Sequence, residues 1–136
     1  MPGPNFSWVC RVYWEDTDAG GVVYYANYLK FMERCRTEWL RSLGVEQGRL
    51  REERGLQFAV VGLTVAYLKP ARLDDEIAVT AQLERLGGAT IDFKQTIRRG
   101  DLPLIDAGVR VACLSADRLK PCPIPKDLFT EWRREQ

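Results

Sequence analysis

The amino-acid sequence predicts an α+β domain in which one long central helix is wrapped by a curved antiparallel β-sheet. Three observations predict it: one amphipathic segment with helical spacing, a change to two-residue alternation after Gly55, and glycine-containing turns between the later segments. Helices gathered on one face of an antiparallel sheet define the α+β class. A length of 136 residues suits one domain, which we expect to span residues 1–136.

The first half of the chain is predicted to hold one strand followed by two helices. Apolar residues at every second position indicate a strand over residues 7–15. A helix is predicted over residues 28–43, with Asn27 as its N-cap and Gly44 just past its end. Its apolar stripe repeats at three- and four-residue steps and comprises Tyr28, Met32, Cys35, Trp39, Leu40 and Leu43. A weaker helix is expected over residues 46–54.

The second half is predicted to form four strands in hairpin succession. These strands are expected over residues 57–69, 76–86, 89–99 and 104–116, with Gly87-Gly88 as a hairpin signal. A short helix is expected over residues 126–134. A sheet of this size has open edges, so pairing with a second copy of the chain is expected.

Composition excludes several kinds of chemistry. The chain has no histidine, which rules out Ser-His-Asp and Cys-His nucleophilic pairs, histidine metal ligands and an imidazole base. The formal net charge of +1 gives no electrostatic reason to bind nucleic acid or an anionic membrane. We therefore predict no metal and no cofactor. Carboxylates, tyrosines, lysines, cysteines or the backbone must carry any chemistry.

The cysteines and the terminal segment indicate the compartment. Cys10, Cys35, Cys113 and Cys122 are scattered without a C-x-x-C pair, which favours reduced, mostly buried thiols over a zinc site or a disulfide framework. Residues 1–8 contain no apolar run of the kind found in signal peptides. No window approaches the roughly 18 uninterrupted apolar residues of a membrane span. These features predict a cytoplasmic protein without a membrane span.

The candidate functional segment is the run over residues 13–29. It places Asp16 and Asp18 on a loop with two glycines, just before the start of the long helix. Unpaired N–H groups and the helix dipole favour negative charge there and can stabilise an oxyanion. On these residues alone, an equally good interpretation is that the two aspartates only form local turns with their own backbone.

These residues also resemble a known family. The segments Asp16-Thr17-Asp18-Ala19-Gly20-Gly21-Val22-Val23-Tyr24, Ala26-Asn27-Tyr28, Glu33-Arg34, Val65-Ala66-Tyr67, Pro70-Ala71-Arg72-Leu73-Asp74-Asp75 and Lys120-Pro121 are similar to those of hotdog-fold acyl-CoA thioesterases. The resemblance is to the 4-hydroxybenzoyl-CoA thioesterase family, in particular its Tol-Pal-associated (YbgC-type) branch. It covers nearly the whole chain and implies the same fold as the periodicity.

The resemblance implies hydrolysis of the thioester between an acyl group and coenzyme A, with Asp18 as the catalytic carboxylate. Asp18 would attack the carbonyl to form an anhydride, or deprotonate a water. Tyr25 stands where many relatives have histidine, and it can donate a hydrogen bond to the thioester or the water. Backbone N–H groups near the helix start are candidates for the oxyanion hole, namely those of Val23, Tyr24, Tyr25 and Ala26.

Other residues are candidates for binding the substrate. Tyr24 and Tyr28 can line the acyl channel, although a place in the core or an interface is an equal alternative. Lys69 and Arg72, near strand ends, can contact the phosphates of coenzyme A. Glu33 is a rival catalytic carboxylate, because some other hotdog thioesterases use a glutamate on the helix. An ion pair of Glu33 with Arg36 is the favoured interpretation.

The family also implies a homodimer or homotetramer with active sites at subunit interfaces. Acyl-CoA is the expected substrate, and acyl carrier protein is a further candidate partner. The absence of histidine motivates one alternative: a non-catalytic hotdog module that binds acyl-CoA or acyl carrier protein. A hotdog dehydratase is disfavoured, since such enzymes usually rely on histidine.

Overall fold

Five antiparallel strands and two α-helices form the structure, a computed structural model that describes residues 5–130. In chain order the elements are β1 (Asn5–Arg11), a 3₁₀ turn (Trp14–Asp16), α1 (Asn27–Ser42), α2 (Gln47–Arg54), β2 (Leu56–Tyr67), β3 (Glu76–Leu86), β4 (Thr90–Arg99) and β5 (Leu102–Ser115). The α+β class predicted from the sequence is confirmed. No helix among the described residues has the length and apolarity needed to cross a membrane.

The strands form one sheet in the order β1-β3-β4-β5-β2. Successive hairpins connect β3, β4 and β5, as predicted. The prediction is wrong for β2, which pairs along its length with β5 rather than with β3. Alternation of side chains reports the two faces of a strand but not its neighbour, so periodicity alone misplaced β2. Residues 68–75 therefore cross the end of the sheet between β2 and β3.

Helix α1 packs on the sheet through five of the six residues of the predicted stripe and through Phe31, which the prediction omitted. Its buried side chains are Tyr28, Phe31, Met32, Cys35, Trp39 and Leu40. The Sγ atom of Cys35 lies 3.3 Å from the carbonyl oxygen of Val79 on β3. Leu43 was wrongly assigned to this stripe, because it follows the last turn and is 46% exposed. The left-handed φ of +82° at Gly44 turns the chain away from the helix, as expected for glycine there.

Two local predictions near the amino terminus need correction. The strand predicted over residues 7–15 ends at Arg11, because Trp14–Asp16 turns into a 3₁₀ helix. Asp16 closes this turn by accepting a hydrogen bond from the Tyr13 N–H at 2.8 Å. Asn27 is not the N-cap of α1 but its first residue. Its side-chain amide instead donates to the carbonyl of Asp16 at 2.9 Å.

The carboxyl-terminal segment covers the end of the core. Ile124 and Phe129 are buried. Residues 126–129 form turns rather than the predicted helix. The remainder of that predicted helix, residues 131–134, lies outside the described residues. Of the four cysteines, Cys35 and Cys113 are buried, whereas Cys10 and Cys122 are half-buried.

Candidate active site

The segment between β1 and α1 forms a small hairpin that carries Asp18. Thr17 and Val23 form an antiparallel bridge at its base. The Asp18 N–H donates to the Val22 carbonyl at 2.9 Å, and the Gly21 N–H donates to the Asp18 carbonyl at 3.1 Å. Gly21 has a φ of +81°, a conformation that glycine adopts without strain. The backbone around Asp18 is therefore fixed by the hairpin itself.

The Asp18 carboxylate is exposed at the tip of this hairpin. Its Oδ1 atom accepts a hydrogen bond from the Gly20 N–H at 2.8 Å. The Oδ2 atom has no hydrogen-bond partner within residues 5–130. Asp16 also bonds its neighbouring backbone, but it is half-buried. The local-turn interpretation therefore describes Asp16 fully, whereas Asp18 makes such a turn and still presents one free oxygen to solvent.

The four backbone donors expected near the helix start divide into two pairs. The Val23 N–H donates to the Ala71 carbonyl at 2.9 Å, and the Tyr24 N–H donates to the Asp16 carbonyl at 3.0 Å. In the described part of the chain, the N–H groups of Tyr25 and Ala26 have no acceptor. They lie immediately before α1, where the helix dipole is positive. These two groups are open to an oxyanion, and the first two are occupied.

The crossing segment after β2 supports the hairpin from behind. Val22 bridges to Arg72. The Ala71 N–H donates to the hydroxyl of buried Tyr28 at 2.9 Å. Burial raises the pKa of Tyr28, which keeps this hydroxyl neutral. The sequence contained no signal for Ala71 as a support, since its role depends on a contact with a residue 43 positions away.

Asp75 and Arg99 hold the same crossing segment in place. Asp75 Oδ2 accepts from the Arg72 N–H at 2.8 Å and from the Arg99 guanidinium at 2.6 Å. Partial burial favours the neutral acid, but these two donors outweigh it and hold the pKa of Asp75 below its usual range. Arg72 therefore contributes its backbone to the loop, while its side chain is exposed.

Tyrosines form one wall beside the hairpin. The rings of Tyr25 and Tyr67 are 6.2 Å apart, and those of Tyr28 and Tyr67 are 5.8 Å apart. The Tyr67 hydroxyl donates to the Tyr25 carbonyl at 3.2 Å. The ring centroids of Tyr24 and Tyr25 are 4.8 Å apart. A hydrogen bond with the Tyr25 side chain raises the pKa of Tyr24. Tyr67 was not a sequence candidate, because the alternation of side chains along a β-strand does not indicate which distant loop each side chain contacts.

A concave region of about 270 Å³ adjoins this wall and is lined by Val23, Tyr25, Tyr28, Tyr67, Leu68, Lys69 and Pro70. Four sequence candidates, Val23, Tyr25, Tyr28 and Lys69, therefore meet at one surface. Tyr24 and Arg72 lie nearby in the chain but do not line it. An apolar floor with hydroxyl groups and one cation suits an acyl group that is attached to a phosphate-bearing carrier.

A second cavity, of about 250 Å³, lies between α1, α2 and the sheet. Glu33 and Arg36 line it, but the predicted ion pair between them is absent from the described structure. Glu33 instead accepts from the Thr37 hydroxyl at 3.1 Å, and Arg36 donates to the amide oxygen of buried Gln95 at 2.9 Å. Burial lowers the pKa of Arg36.

Among the described residues, no group of three or more cysteine and acidic side chains is placed to hold a metal ion.

Known proteins resemble this chain along most of its length. The thioesterase superfamily matches residues 20–105. "Acyl-CoA thioesterase YbgC" of Haemophilus influenzae is 48% identical over 124 residues, which are 91% of each chain. "Acyl-CoA thioester hydrolase YbgC" of Escherichia coli is 42% identical over 95% of this chain and 96% of the relative.

A solved structure gives the same result for the fold. The crystal structure described as "Probable Thioesterase from Bartonella henselae" superposes with a TM-score of 0.86 at 34% identity, over 90% of this chain and all of that one. The order of strands and the position of α1 are thus shared with proteins of this group. The chain belongs to the thioesterase superfamily, and its five-stranded sheet with α1 on one face is the hotdog fold that the sequence predicted.

Proposed function

We propose that this protein hydrolyses acyl-coenzyme A thioesters and that Asp18 is its catalytic carboxylate. The observation that carries the proposal is an exposed carboxylate on the hairpin that leads to α1. Among the described residues, one of its oxygens is held and the other has no partner, and two N–H groups before the helix have no acceptor. The names of the relatives that are 42–48% identical support the substrate class. Asp18 also matches the carboxylate of the motif that first suggested the family.

Two routes are consistent with this arrangement. In the first, Asp18 Oδ2 attacks the thioester carbonyl, the C–S bond breaks, coenzyme A leaves as a thiolate, and water hydrolyses the acyl-Asp18 anhydride. In the second, Asp18 takes a proton from a water that attacks the carbonyl directly. In both, the N–H groups of Tyr25 and Ala26 would stabilise the oxyanion. A thiolate is a good leaving group, so neither route requires a strong acid.

The neighbouring side chains have supporting roles in the proposal. The Tyr25 hydroxyl would donate a hydrogen bond to the thioester or to the water. Tyr24 and Tyr28 would border the acyl group, and Lys69 and Arg72 would meet the phosphates of coenzyme A. The shared surface of Tyr25, Tyr28 and Lys69 supports this placement, whereas Tyr24 and Arg72 lie at its margin.

We also propose that the working assembly is a homodimer or homotetramer in the cytoplasm. Within the described residues, β2 is an edge strand that pairs on one side only, with β5, and it exposes Val60, Val61, Leu63 and Tyr67 by 43–57%. Exposed apolar edge strands favour pairing with another strand. Acyl carrier protein and the Tol-Pal system remain candidate partners on the strength of the resemblance. Light scattering of the full chain tests the assembly, and a monomer at micromolar concentration would contradict it.

Substitution of the catalytic carboxylate tests the proposed activity. Asp18→Asn keeps the shape and the Gly20 hydrogen bond but removes the charge, so kcat for acyl-CoA hydrolysis should fall by about 10²–10⁴-fold. Asp101→Asn, a change at another exposed carboxylate, is the matched control and should retain activity. Full activity of Asp18→Asn would overturn the proposal. Binding of acyl-CoA or acyl carrier protein without turnover by the unmodified chain would favour the non-catalytic module instead.

An isotope experiment detects one form of the anhydride route. In a single turnover in H₂¹⁸O, water attack at the Asp18 carbonyl of the anhydride gives a product acid that carries an oxygen of the protein and no ¹⁸O. Direct water attack on the thioester gives a product with ¹⁸O, and so does water attack at the acyl carbonyl of the anhydride. Mass spectrometry of the released acid measures the label, and a first-turnover product without ¹⁸O would establish the anhydride route.

A further inference from the structure

The Asp18 hairpin contains two adjacent glycines, Gly20 and Gly21, and a different physical requirement favours glycine at each position. Gly21 has a φ of +81°, and a Cβ atom there would meet no atom within 4 Å. Its backbone conformation is therefore what requires glycine. Gly20 does not have a left-handed φ, so its backbone would accept any residue. A Cβ atom at Gly20, however, would lie 3.2 Å from Oδ1 of Asp18.

We propose that Gly20 is a positioning residue for thioester hydrolysis, an inference that rests on the proposed role of Asp18. The Gly20 N–H holds Oδ1 at 2.8 Å, and the missing side chain leaves room for that oxygen. The carboxylate is thereby held in one orientation, with Oδ2 directed away from the turn as the reacting atom. A restrained nucleophile or base loses less freedom on reaching the transition state.

The backbone on both sides of Asp18 supports this assignment. The Asp16 carbonyl accepts hydrogen bonds from the Tyr24 N–H at 3.0 Å and from the Asn27 side-chain amide at 2.9 Å. The Asp18 N–H is bonded to Val22. Since the main chain is fixed at these points, the torsions of the Asp18 side chain are the remaining freedom. The Gly20 N–H is the group that restricts them.

Alanine at position 20 tests the inference because it keeps the N–H and adds only the Cβ atom. For Gly20→Ala we expect kcat for acyl-CoA hydrolysis to fall about tenfold or more, with KM changed less than twofold. Gly88→Ala is the matched control, since a Cβ atom there meets nothing within 4 Å and the φ is not left-handed. The control should keep the kcat of the unmodified protein.

A double substitution separates positioning from a general structural effect. In an Asp18→Asn background, Gly20→Ala should cause little further loss of kcat, because the group that it positions is already inactive. An equal loss in both backgrounds, or an unchanged kcat for Gly20→Ala alone, would overturn the inference. Full activity of Asp18→Asn would instead overturn the proposed function, so the two failures are distinguishable.

A separate observation concerns two thiols far from this hairpin in the sequence. The Sγ atoms of Cys113 and Cys122 are 3.9 Å apart. Their backbones are adjacent, since Leu114 and Pro121 form an antiparallel bridge and the Cys122 N–H donates to the Cys113 carbonyl at 2.9 Å. Opposed residues of antiparallel strands have Cα atoms about 4.5–5.5 Å apart, within the range that a disulfide spans.

We infer that Cys113 and Cys122 form a disulfide when the protein meets hydrogen peroxide. Cys122 is half-buried and Cys113 is buried, so peroxide would first oxidise Cys122 to a sulfenic acid with release of one water. The Cys113 sulfur would then attack that sulfur, form the S–S bond and release a second water. Two thiols are oxidised and one peroxide is reduced. The bond would fasten the carboxyl-terminal segment, including Ile124, to β5.

Mass spectrometry and thermal unfolding of the full chain test this second inference. Peroxide treatment should produce a Cys113–Cys122 cross-linked peptide, a loss of two mass units and a melting temperature about 5 °C higher, all reversed by dithiothreitol. Cys122→Ser should abolish all three changes, and Cys10→Ser should leave them. Peroxide-treated protein with two free thiols at these positions, or with only higher oxides of Cys122, would overturn the inference.

Discussion

The two ends of α1 use aromatic residues in opposite ways. At the amino-terminal end, Tyr24 and Tyr25 are 46% and 62% exposed. At the carboxyl-terminal end, Trp39 is 3% exposed and packs between Phe93 at 5.2 Å and Phe129 at 5.6 Å. One end offers a polar surface to a ligand, and the other closes the core.

This difference separates a source of stability from the proposed site of activity. Buried aromatic rings contribute through the apolar area that they remove from water. Exposed tyrosines contribute little of this kind, and the proposed function assigns those beside the Asp18 hairpin to binding or catalysis. Substitutions at the carboxyl-terminal end should therefore change the free energy of unfolding, and those at the amino-terminal end should change the reaction rate.

The largest expected effect on stability is at Trp39. Trp39→Ala removes the ring between Phe93 and Phe129, and should lower the free energy of unfolding by about 3–5 kcal/mol. Urea unfolding measures this change, with Leu43→Ala as a control at an exposed position and a cost below about 0.5 kcal/mol. The folded fraction of the variant should keep its kcat. If Trp39→Ala lowered the free energy of unfolding no more than Leu43→Ala does, the contrast between the two ends of α1 would be contradicted.

The next effect concerns the pH dependence of the rate. With no histidine in the chain, no essential group of the unmodified protein should titrate as an imidazole near pH 6.5. Tyr25→His places such a group beside the hairpin, so the rate of this variant should change by about tenfold between pH 5.5 and 7.5. Initial rates across this range provide the measurement. If the rate of the unmodified protein changed in the same way between pH 5.5 and 7.5, a group other than histidine would have to cause the change. Asp18 would be the first residue to examine.

A smaller effect on activity is expected at Tyr67. Tyr67→Phe removes the donor to the Tyr25 carbonyl but keeps the ring, so kcat should fall by about two- to tenfold, since one hydrogen bond is worth about 0.5–1.5 kcal/mol. Tyr13→Phe is a matched control, because its ring is 61% exposed. The free energy of unfolding should change little in either variant. An equal loss of kcat in the control would contradict a role for this hydrogen bond.

The smallest effect is an acid-dependent loss of stability at Asp75. Its pKa is lowered in the folded protein by the Arg72 N–H and the Arg99 guanidinium, against a partial burial that acts to raise it. This contribution is fully present above the unfolded pKa of about 3.9, and it is lost as the pH falls through the lower folded pKa. Asp75→Asn should therefore destabilise the protein at pH 7 and remove part of the decline in acid. Urea unfolding at pH 7 and in acid measures the free energy of unfolding of this variant, with Asp101→Asn as the control. The expected difference from the unmodified protein is larger at pH 7.

Local elements of the fold were predicted closely, because their signals are local. The strand predicted over residues 76–86 coincides with β3, and the helix predicted over residues 28–43 lies within one residue of α1. The position expected for Asp18, on a loop before the helix, also agrees with the structure. Periodicity, capping glycines and turn residues act over a few positions, so the sequence reports them directly.

Contacts between distant segments were not predicted, and they complete the candidate site. Tyr67 reaches Tyr25 across 42 positions, and Ala71 reaches Tyr28 across 43. Both contacts depend on β2 lying next to β5, the placement that alternation misassigned. The expected Glu33–Arg36 pair is absent from the described structure, because Arg36 donates instead to Gln95 on β4, 59 positions away.

The sequence by itself limited the chemistry that is possible here: without histidine, it must be carried by carboxylates, tyrosines, lysines, cysteines or the backbone. Tertiary structure decided which donors are open. Val23 and Tyr24 give their N–H groups to Ala71 and Asp16, and this leaves those of Tyr25 and Ala26. Each backbone N–H donates once, and the fold determines which acceptor it meets.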